Sequence, residues 1–425
     1  MKLPPILRSL GLAGRNVGTG AARVLLWAIY GLSRLSVRRE NVCVFGGGFD
    51  AFSNGKHLAI HLKQNAPGLQ VSWITHRRAD TARIREAGIP AYYKWSPAGM
   101  WHTVRARWVF LNSYAFDVNF WLTGGAIRVN LWHGVPLKKL GFDITNGPLA
   151  RLFQARGIRR LFYRLLSSAY QQPHLMISTS VEMQELFARA FRLPAERCPP
   201  LGYPRTDLFS WDREALITFV RQREPNEVRR IVGRAEDAAC VWAYLPTWRD
   251  SRRDFIAQSR IDWMTLDDIC RESNAFFLVK FHPLTPVDVT RFQGLQNVCL
   301  VGKTLDVYPL LPFVDSLITD YSSVFFDYLL LDRPIVFFPF DLQDYVRDSR
   351  DLYFAYDDVT PGPKATTEQE LYEFVRTGPP SGWDLERGAL RRRIWDQADG
   401  SSAPRILRFL MEFHPPLTRA LADPH

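Results

Sequence analysis

Cysteine is scarce here, five in 425 residues, at positions 43, 198, 240, 270 and 299. No C-x-x-C pair and no Cys/His cluster occurs, which excludes a disulfide framework and a zinc finger. Isolated cysteines in apolar runs read as small core residues in a reducing compartment. Long apolar stretches are missing too. Val24–Leu32 is apolar but only nine residues long, where a spanning helix needs about twenty. No A-x-A-like cleavage site follows it; Ser33, Arg34, Arg38 and Arg39 do. The segment therefore reads as a peripheral, interface-lying or core helix, with an uncleaved signal anchor as the alternative. Several catalytic signatures are absent as well. There is no G-x-G-x-x-G, no Walker A loop, no HExxH and no G-x-S-x-G elbow. Each absence removes a class: dinucleotide enzyme, P-loop NTPase, zinc protease, serine hydrolase. Metal ligands at suitable spacing are lacking, and no metal or cofactor is expected.

Acid is also lacking locally. From Ile144 to Val181 there is no Asp or Glu, within a chain whose net charge is +11. An excess of that size suggests an anionic partner. Inside the acid-free stretch, Leu149–Gln171 reads as one helix. Ile158, Leu161, Phe162, Leu165, Leu166 and Ala169 recur at helical spacing, flanked by Arg151, Arg156, Arg159, Arg160 and Arg164. That pattern fits a helix lying on an anionic membrane surface. A core-facing helix with a solvated basic side is the alternative.

What the chain does have is alternation. Apolar runs at 41–45, 69–75, 107–112, 127–132 and 174–179 form one set of strand candidates. Runs at 240–245, 276–281, 298–301, 316–319 and 334–339 form another. Their steady Val, Ile, Leu and Phe content, without polar alternation, predicts parallel strands covered on both faces by helices. The fold class expected is α/β, with two Rossmann-like domains facing a cleft. Pro and Gly in Cys198–Trp211 mark the junction. The expected organisation is a basic, apolar leader at 1–40, an acceptor domain at 41–205, a donor domain at 206–400 and a C-terminal helix and tail at 401–425.

The polar residues of interest fall at the carboxyl ends of these strands, where such sheets bind ligands. His133, in LWHGVPLKKLGFD, is placed as a general base; a structural histidine bonded to a neighbouring carbonyl is the alternative. Lys138 and Lys139 add positive charge to the same loop. Thr247 and Arg249, in LPTWRD, suit phosphate contact, unless Arg249 is an exposed partner of Asp250. His282, in KFHP, ends another strand and is expected to converge with His133. Ser322 and Ser323, in TDYSSVFFD, sit where a helix begins, a seat for phosphate or a plain N-cap. Asp320 and Asp327 flank them. Asp327 suits ribose or polyol hydroxyls, or compensates the helix dipole. Gly47, central in Gly46–Gly48, allows close approach of an anion.

Taken together, LWHGVPLKKLGFD, GYPRTD, LPTWRD, KFHP and DYSSVFFDYLLLDRPIVFFPFDLQDY resemble the CDP-glycerol glycerophosphotransferase family, which makes teichoic acids and related phosphate-linked capsule polymers. The resemblance covers Asn41 onward and is dense from Asn130 to Pro363. It implies a GT-B-like fold and transfer of alditol phosphate from CDP-glycerol or CDP-ribitol to a lipid-linked or poly(alditol phosphate) acceptor, with release of CMP. By the same resemblance, His133 is the base and His282 stands near the donor diphosphate. Ser322 and Ser323 hold that diphosphate, with Thr247, Arg249, Asp320 and Asp327 around the donor. Lys138, Lys139 and Gly47 fall to the acceptor or its phosphates. The resemblance implies a peripheral location on the cytoplasmic membrane face, where the arginines of the basic helix would contact lipid. A nucleotide-sugar glycosyltransferase and a polyanion binder are the competing readings. The first lacks a donor-sugar acid near the serines, and the second lacks a nucleic-acid recognition motif.

Overall fold

A computed structural model describes residues 18–146, 149–167, 170–249, 255–348 and 351–422. The chain divides into two units. The first comprises residues 1–133, 140–207 and 396–425, and the second 134–139 and 208–395.

The first unit is built on a six-stranded parallel sheet. Its strands are β1 (Arg39–Gly46), β2 (Gln70–Thr75), β3 (Ala91–Tyr93), β4 (Ala106–Leu111), β5 (Ile127–Asn130) and β6 (Leu175–Met176), in the order β3-β2-β1-β4-β5-β6. The second unit carries a five-stranded parallel sheet. Its strands are β7 (Cys240–Tyr244), β8 (Ala275–Val279), β9 (Val298–Leu300), β10 (Ser316–Thr319) and β11 (Ile335–Phe337), in the order β11-β10-β7-β8-β9. Both are doubly wound sheets whose strand order reverses once, between β1 and β4 and between β7 and β10. At such a reversal the two neighbouring loops part and leave a crevice beyond the strand ends.

Continuous apolar runs form these strands because helices cover both faces. All residues of β8, β10 and β11 are buried. Trp242, Phe277, Ile318 and Val336 pack there with Leu266, Ile269 and Leu371 from the helices Trp263–Glu272 and Glu368–Thr377. The second of these helices opens on a Thr367/Glu370 capping box.

Three features depart from the sequence reading. β3 was not anticipated; it is three residues long and sits on the sheet edge. The Leu149–Gln171 helix is broken into Ala150–Phe153 and Gly157–Leu166, with Gly157 at φ +54. Glycine adopts that left-handed conformation without a Cβ penalty, and the turn ends helical continuity. Third, the run Val24–Leu32 lies inside a longer helix, Gly18–Ser33. No helix among the described residues is long and apolar enough to cross a membrane. Ala169, Asp250 and residues 1–17 of the leader lie outside the described residues. Just after the Gly18–Ser33 helix, Arg38 is buried and donates to the carbonyls of Ser33, Thr103, Ala106 and Leu122, fixing that helix end to the first unit.

Candidate active site

In the second unit, the loops leaving β7 and β10 flank the crevice at the strand-order reversal. Asp320 follows β10 and is fully buried. Its Oδ1 accepts from the backbone N–H of Thr247 at 2.7 Å and of Tyr321 at 2.5 Å. Its Oδ2 pairs with Arg249 at 2.8 Å. Arg249 turns its fork to Asp341, with Nε and Nη2 donating to the two carboxylate oxygens at 2.7 and 2.8 Å. Its Nη1 also donates to the Thr247 carbonyl at 2.7 Å. All three guanidinium nitrogens are thus engaged, and the side chain is only 4% exposed. The rings of Tyr321, Tyr345, Phe255 and Phe340 surround it. Burial alone pulls the Arg249 pKa down, and the carboxylates of Asp320 and Asp341 more than offset this. The Tyr321 hydroxyl donates to Asp341 at 3.1 Å. Burial and the adjacent acids push it far above a phenol's ordinary range, so it stays a neutral donor.

The alternative of an exposed Arg249 is therefore ruled out by its burial, and the fork expected to grip phosphate is filled by Asp341. What this framework presents at the crevice is the remainder of the two loops. The Thr247 hydroxyl is buried with no hydrogen-bond partner among the described residues. Ser322 and Ser323 are half-exposed. Ser323 precedes a five-residue helix, Val324–Tyr328, without capping it through its side chain. Asp327 lies deeper, fully buried, and accepts from the Tyr308 hydroxyl. Its partner is thus inside the protein.

His282 follows β8, the neighbour of β7. It is exposed, and its Nδ1 accepts from the Leu284 N–H at 3.2 Å. In the neutral ring the proton then sits on Nε2, which makes Nε2 a hydrogen-bond donor. Trp248 lies beside it, with ring centroids 6.1 Å apart. The segment 134–139 belongs to this unit. Lys138 lies over the Tyr345 ring at 4.6 Å and Lys139 pairs with Asp351 at 3.4 Å.

In the first unit, His133 stands past the carboxyl end of β5, and its Nδ1 is 2.8 Å from the Asn112 carbonyl. A carbonyl only accepts, so Nδ1 carries the proton and Nε2 of the neutral ring carries the lone pair. The ring is thus bonded to a neighbouring carbonyl, the alternative read from the sequence, and that bond leaves Nε2 as the basic nitrogen of the neutral ring. The preceding Trp132 has φ +54, a left-handed conformation rare for a bulky residue. Its indole is wedged among Tyr114, Phe187 and Phe191. Asn112 begins the loop after β4, at this unit's strand-order reversal. Its side chain donates to the Gly46 carbonyl at 2.8 Å and accepts from Gly55 N–H at 2.9 Å. Gly47, at φ +94, donates its N–H to the Asp117 carbonyl at 3.0 Å. The close approach read from the Gly46–Gly48 run is thus made to the Asp117 loop. Asp117 is itself closed off, accepting from the Asn112 and Ser113 amides at 2.9 and 2.7 Å.

Residues 33–412 match the family described as CDP-Glycerol:Poly(glycerophosphate) glycerophosphotransferase. The chain belongs to that family. Among this family's relatives, it is 28% identical to the teichoic acid poly(glycerol phosphate) polymerase of Bacillus subtilis (strain 168) over 363 residues, covering 81% of this chain and 44% of that protein. It is 26% identical to the teichoic acid ribitol-phosphate primase of Bacillus spizizenii, covering 93% of this chain and 95% of that protein. The chain thus spans less than half of the polymerase and nearly all of the primase. The wall teichoic acid polymerase TagF has the same fold, with a TM-score of 0.71 at 20% identity over 96% of this chain and 100% of that one. This glycerophosphotransferase-family chain therefore has the GT-B-like architecture expected of it. Among its described residues no group of three or more His, Cys, Asp or Glu could hold a metal ion.

Sequence reasoning did not single out Asp341, Tyr321 or Tyr345 around Arg249, nor Asn54, Asn112 or Arg205 around His133. Asp341, Tyr321, Tyr345 and Arg205 lie inside the motif strings FPFDLQDY, DYSS and GYPRTD, so their signal was proximity to a motif. Asn54 had none, and Asn112 had none beyond ending a strand candidate.

Proposed function

We propose that this protein transfers an alditol phosphate from a CDP-alditol to a hydroxyl of a teichoic-acid-like or capsular acceptor, with release of CMP. The acceptor oxygen attacks the phosphorus that bears the alditol. The new P–O bond forms as the bond to the bridging oxygen breaks, and CMP departs with that electron pair. The acceptor's proton goes to Nε2 of His133. The observation that carries this reading is the His133 Nδ1–H bond to the Asn112 carbonyl, which leaves Nε2 as the ring's base. On the donor side, His282 offers its Nε2–H to the diphosphate, and the hydroxyls of Thr247, Ser322 and Ser323 accompany it. Donors already in place where charge develops stabilise it without reorganisation. Arg249 and Asp320 hold the β7 and β10 loops in register, and Asp327 acts through Tyr308. Lys138, over Tyr345, adds positive charge for acceptor phosphates.

The test is CMP release with CDP-glycerol and CDP-ribitol, each with a lipid-linked primer, for wild type and His133→Ala. The variant should lose at least about 10²-fold in turnover while binding the CDP-alditol as tightly as wild type. Wild-type-like turnover would refute the assignment of the base. The primase-length match favours including ribitol in the panel.

We further infer a peripheral membrane location for this chain. In the Gly157–Leu166 helix, Ile158 is 83% exposed and Leu161 and Phe162 are each 57% exposed, against the core-facing alternative. Arg156, Arg159, Arg160 and Arg164 are exposed with them. The helix Gly18–Ser33 adds exposed Val24, Leu25 and Leu32, and its Trp27 indole donates to the Leu165 carbonyl at 2.9 Å. Apolar side chains bordered by arginine suit anionic lipid. Changing Arg156, Arg159 and Arg160 to Gln should release the protein from phosphatidylglycerol vesicles; undiminished binding would move the contact to the Gly18–Ser33 helix.

A further inference from the structure

Three consecutive backbone carbonyls at the His133 turn accept hydrogen bonds from just two side chains. The Asn54 amide donates to the Leu131 and Trp132 carbonyls at 3.2 and 3.1 Å. Arg205 Nη1 donates to the His133 carbonyl at 3.0 Å. Asn54 Oδ1 in turn accepts the Arg205 backbone N–H at 3.3 Å, so the Asn54 side chain ties the Arg205 turn to the same three carbonyls. Both are buried, Asn54 fully, and neither belongs to the strand that carries His133. Asn54 opens the helix Asn54–Asn65, and Arg205 lies in the turn Pro204–Ser210. The turn they hold includes Trp132 in its left-handed conformation. A residue in that conformation persists only where its surroundings over-determine it. The neighbouring Gly55 N–H, bonded to the Asn112 side chain, ties the same helix start to the residue whose carbonyl takes the imidazole proton.

We propose that Asn54 and Arg205 are positioning residues for the His133 base. By pinning the Leu131–His133 carbonyls, they hold the imidazole against the Asn112 carbonyl and so fix both its direction and its Nδ1–H tautomer. Neither side chain contacts substrate in this scheme. The inference rests on His133 being the base.

The test compares Asn54→Ala, Arg205→Met and Arg205→Lys with wild type and with His133→Ala. Three readouts are needed: steady-state kinetics with a CDP-alditol, thermal unfolding, and ¹⁵N shifts of histidine-labelled protein. Asn54→Ala should lower kcat by about 10²-fold, the scale of a misplaced catalytic group, with the KM for the CDP-alditol little changed. Its His133 ring should show mixed tautomers in place of a single Nδ1–H form. Arg205→Met should do the same, and Arg205→Lys, which keeps a donor, should recover most of the rate. If Asn54→Ala does not fold, the Met and Lys pair at 205 carries the comparison. Folded Asn54 and Arg205 variants that keep wild-type kcat, or lose kcat while retaining a single Nδ1–H ring, overturn the positioning role. Full turnover by His133→Ala instead overturns the base itself, and the two failures are thereby distinguished.

Discussion

Replacing Arg249 by methionine probes the centre of the second unit most sharply. The arginine is 4% exposed and pairs with Asp320, which is fully buried, and Asp341, which is 10% exposed. Removing it strands two carboxylates beside each other in a site walled by four aromatic rings. Breaking a buried ion pair from one side costs about 3–5 kcal/mol. At about 2–4 °C per kcal/mol for a unit of this size, the melting temperature should fall by roughly 6–20 °C. Arg249→Lys should sit between, because a single ammonium cannot satisfy both oxygens of Asp341 and also reach Asp320. The triple variant Arg249→Met, Asp320→Asn, Asp341→Asn should recover much of the loss, since no buried charge is left unpaired. Differential scanning calorimetry at neutral pH measures all three, and CDP-alditol binding follows whether the β7 and β10 loops keep their places. A loss under about 1 kcal/mol for Arg249→Met, the scale of an exposed pair, would refute the account of Arg249 as a structural tie.

Two further outcomes are expected. Asp207 caps the helix Ser402–Phe413, accepting from the N–H groups of Ser402 and Ala403 at 2.8 Å each, and burial raises its pKa to about 6 against those hydrogen bonds. A raised carboxyl pKa favours the folded state most below the ordinary 3.8, and that share is lost as pH rises through about 6. Denaturant titrations of wild type and Asp207→Asn should therefore show a stability difference that shifts against wild type between pH 5 and 7; a pH-independent difference contradicts this. Gly46→Ala should destabilise the first unit by about 3 kcal/mol, the upper range for overpacking. Its Cβ would meet the Asp117 carbonyl oxygen at 2.4 Å, a backbone contact that does not swing away. An unchanged unfolding midpoint would contradict the close approach.

The strands were legible because each is covered on both faces and so reads as an unbroken apolar run; β8 and β10 are clear cases. β3 escaped because three residues on a sheet edge carry too little pattern. The basic helix was over-read because its apolar spacing, which begins at Ile158, was extended back to Leu149 across Gly157, where the backbone turns. The histidines were legible as strand-end residues. Their tautomers were not, since each depends on a backbone group whose position only folding sets. Arg249 shows the same limit. Its deciding partner, Asp341, is 92 residues away, and nothing local distinguishes a fork that grips phosphate from one that grips a carboxylate.

The patchwork of the first unit bears on how the chain is made. The Asp207 carboxylate has no helix to cap until Ser402 has been synthesised. At about 5–20 residues per second, that leaves the first sheet waiting on the order of ten to forty seconds for its last helices. The second unit, contiguous from Leu208 to Trp395 apart from the short 134–139 segment, is complete before then. The earlier unit is thus sealed only after the chain of the later one has been made. A fragment cut after Asp207 would lack part of its own fold.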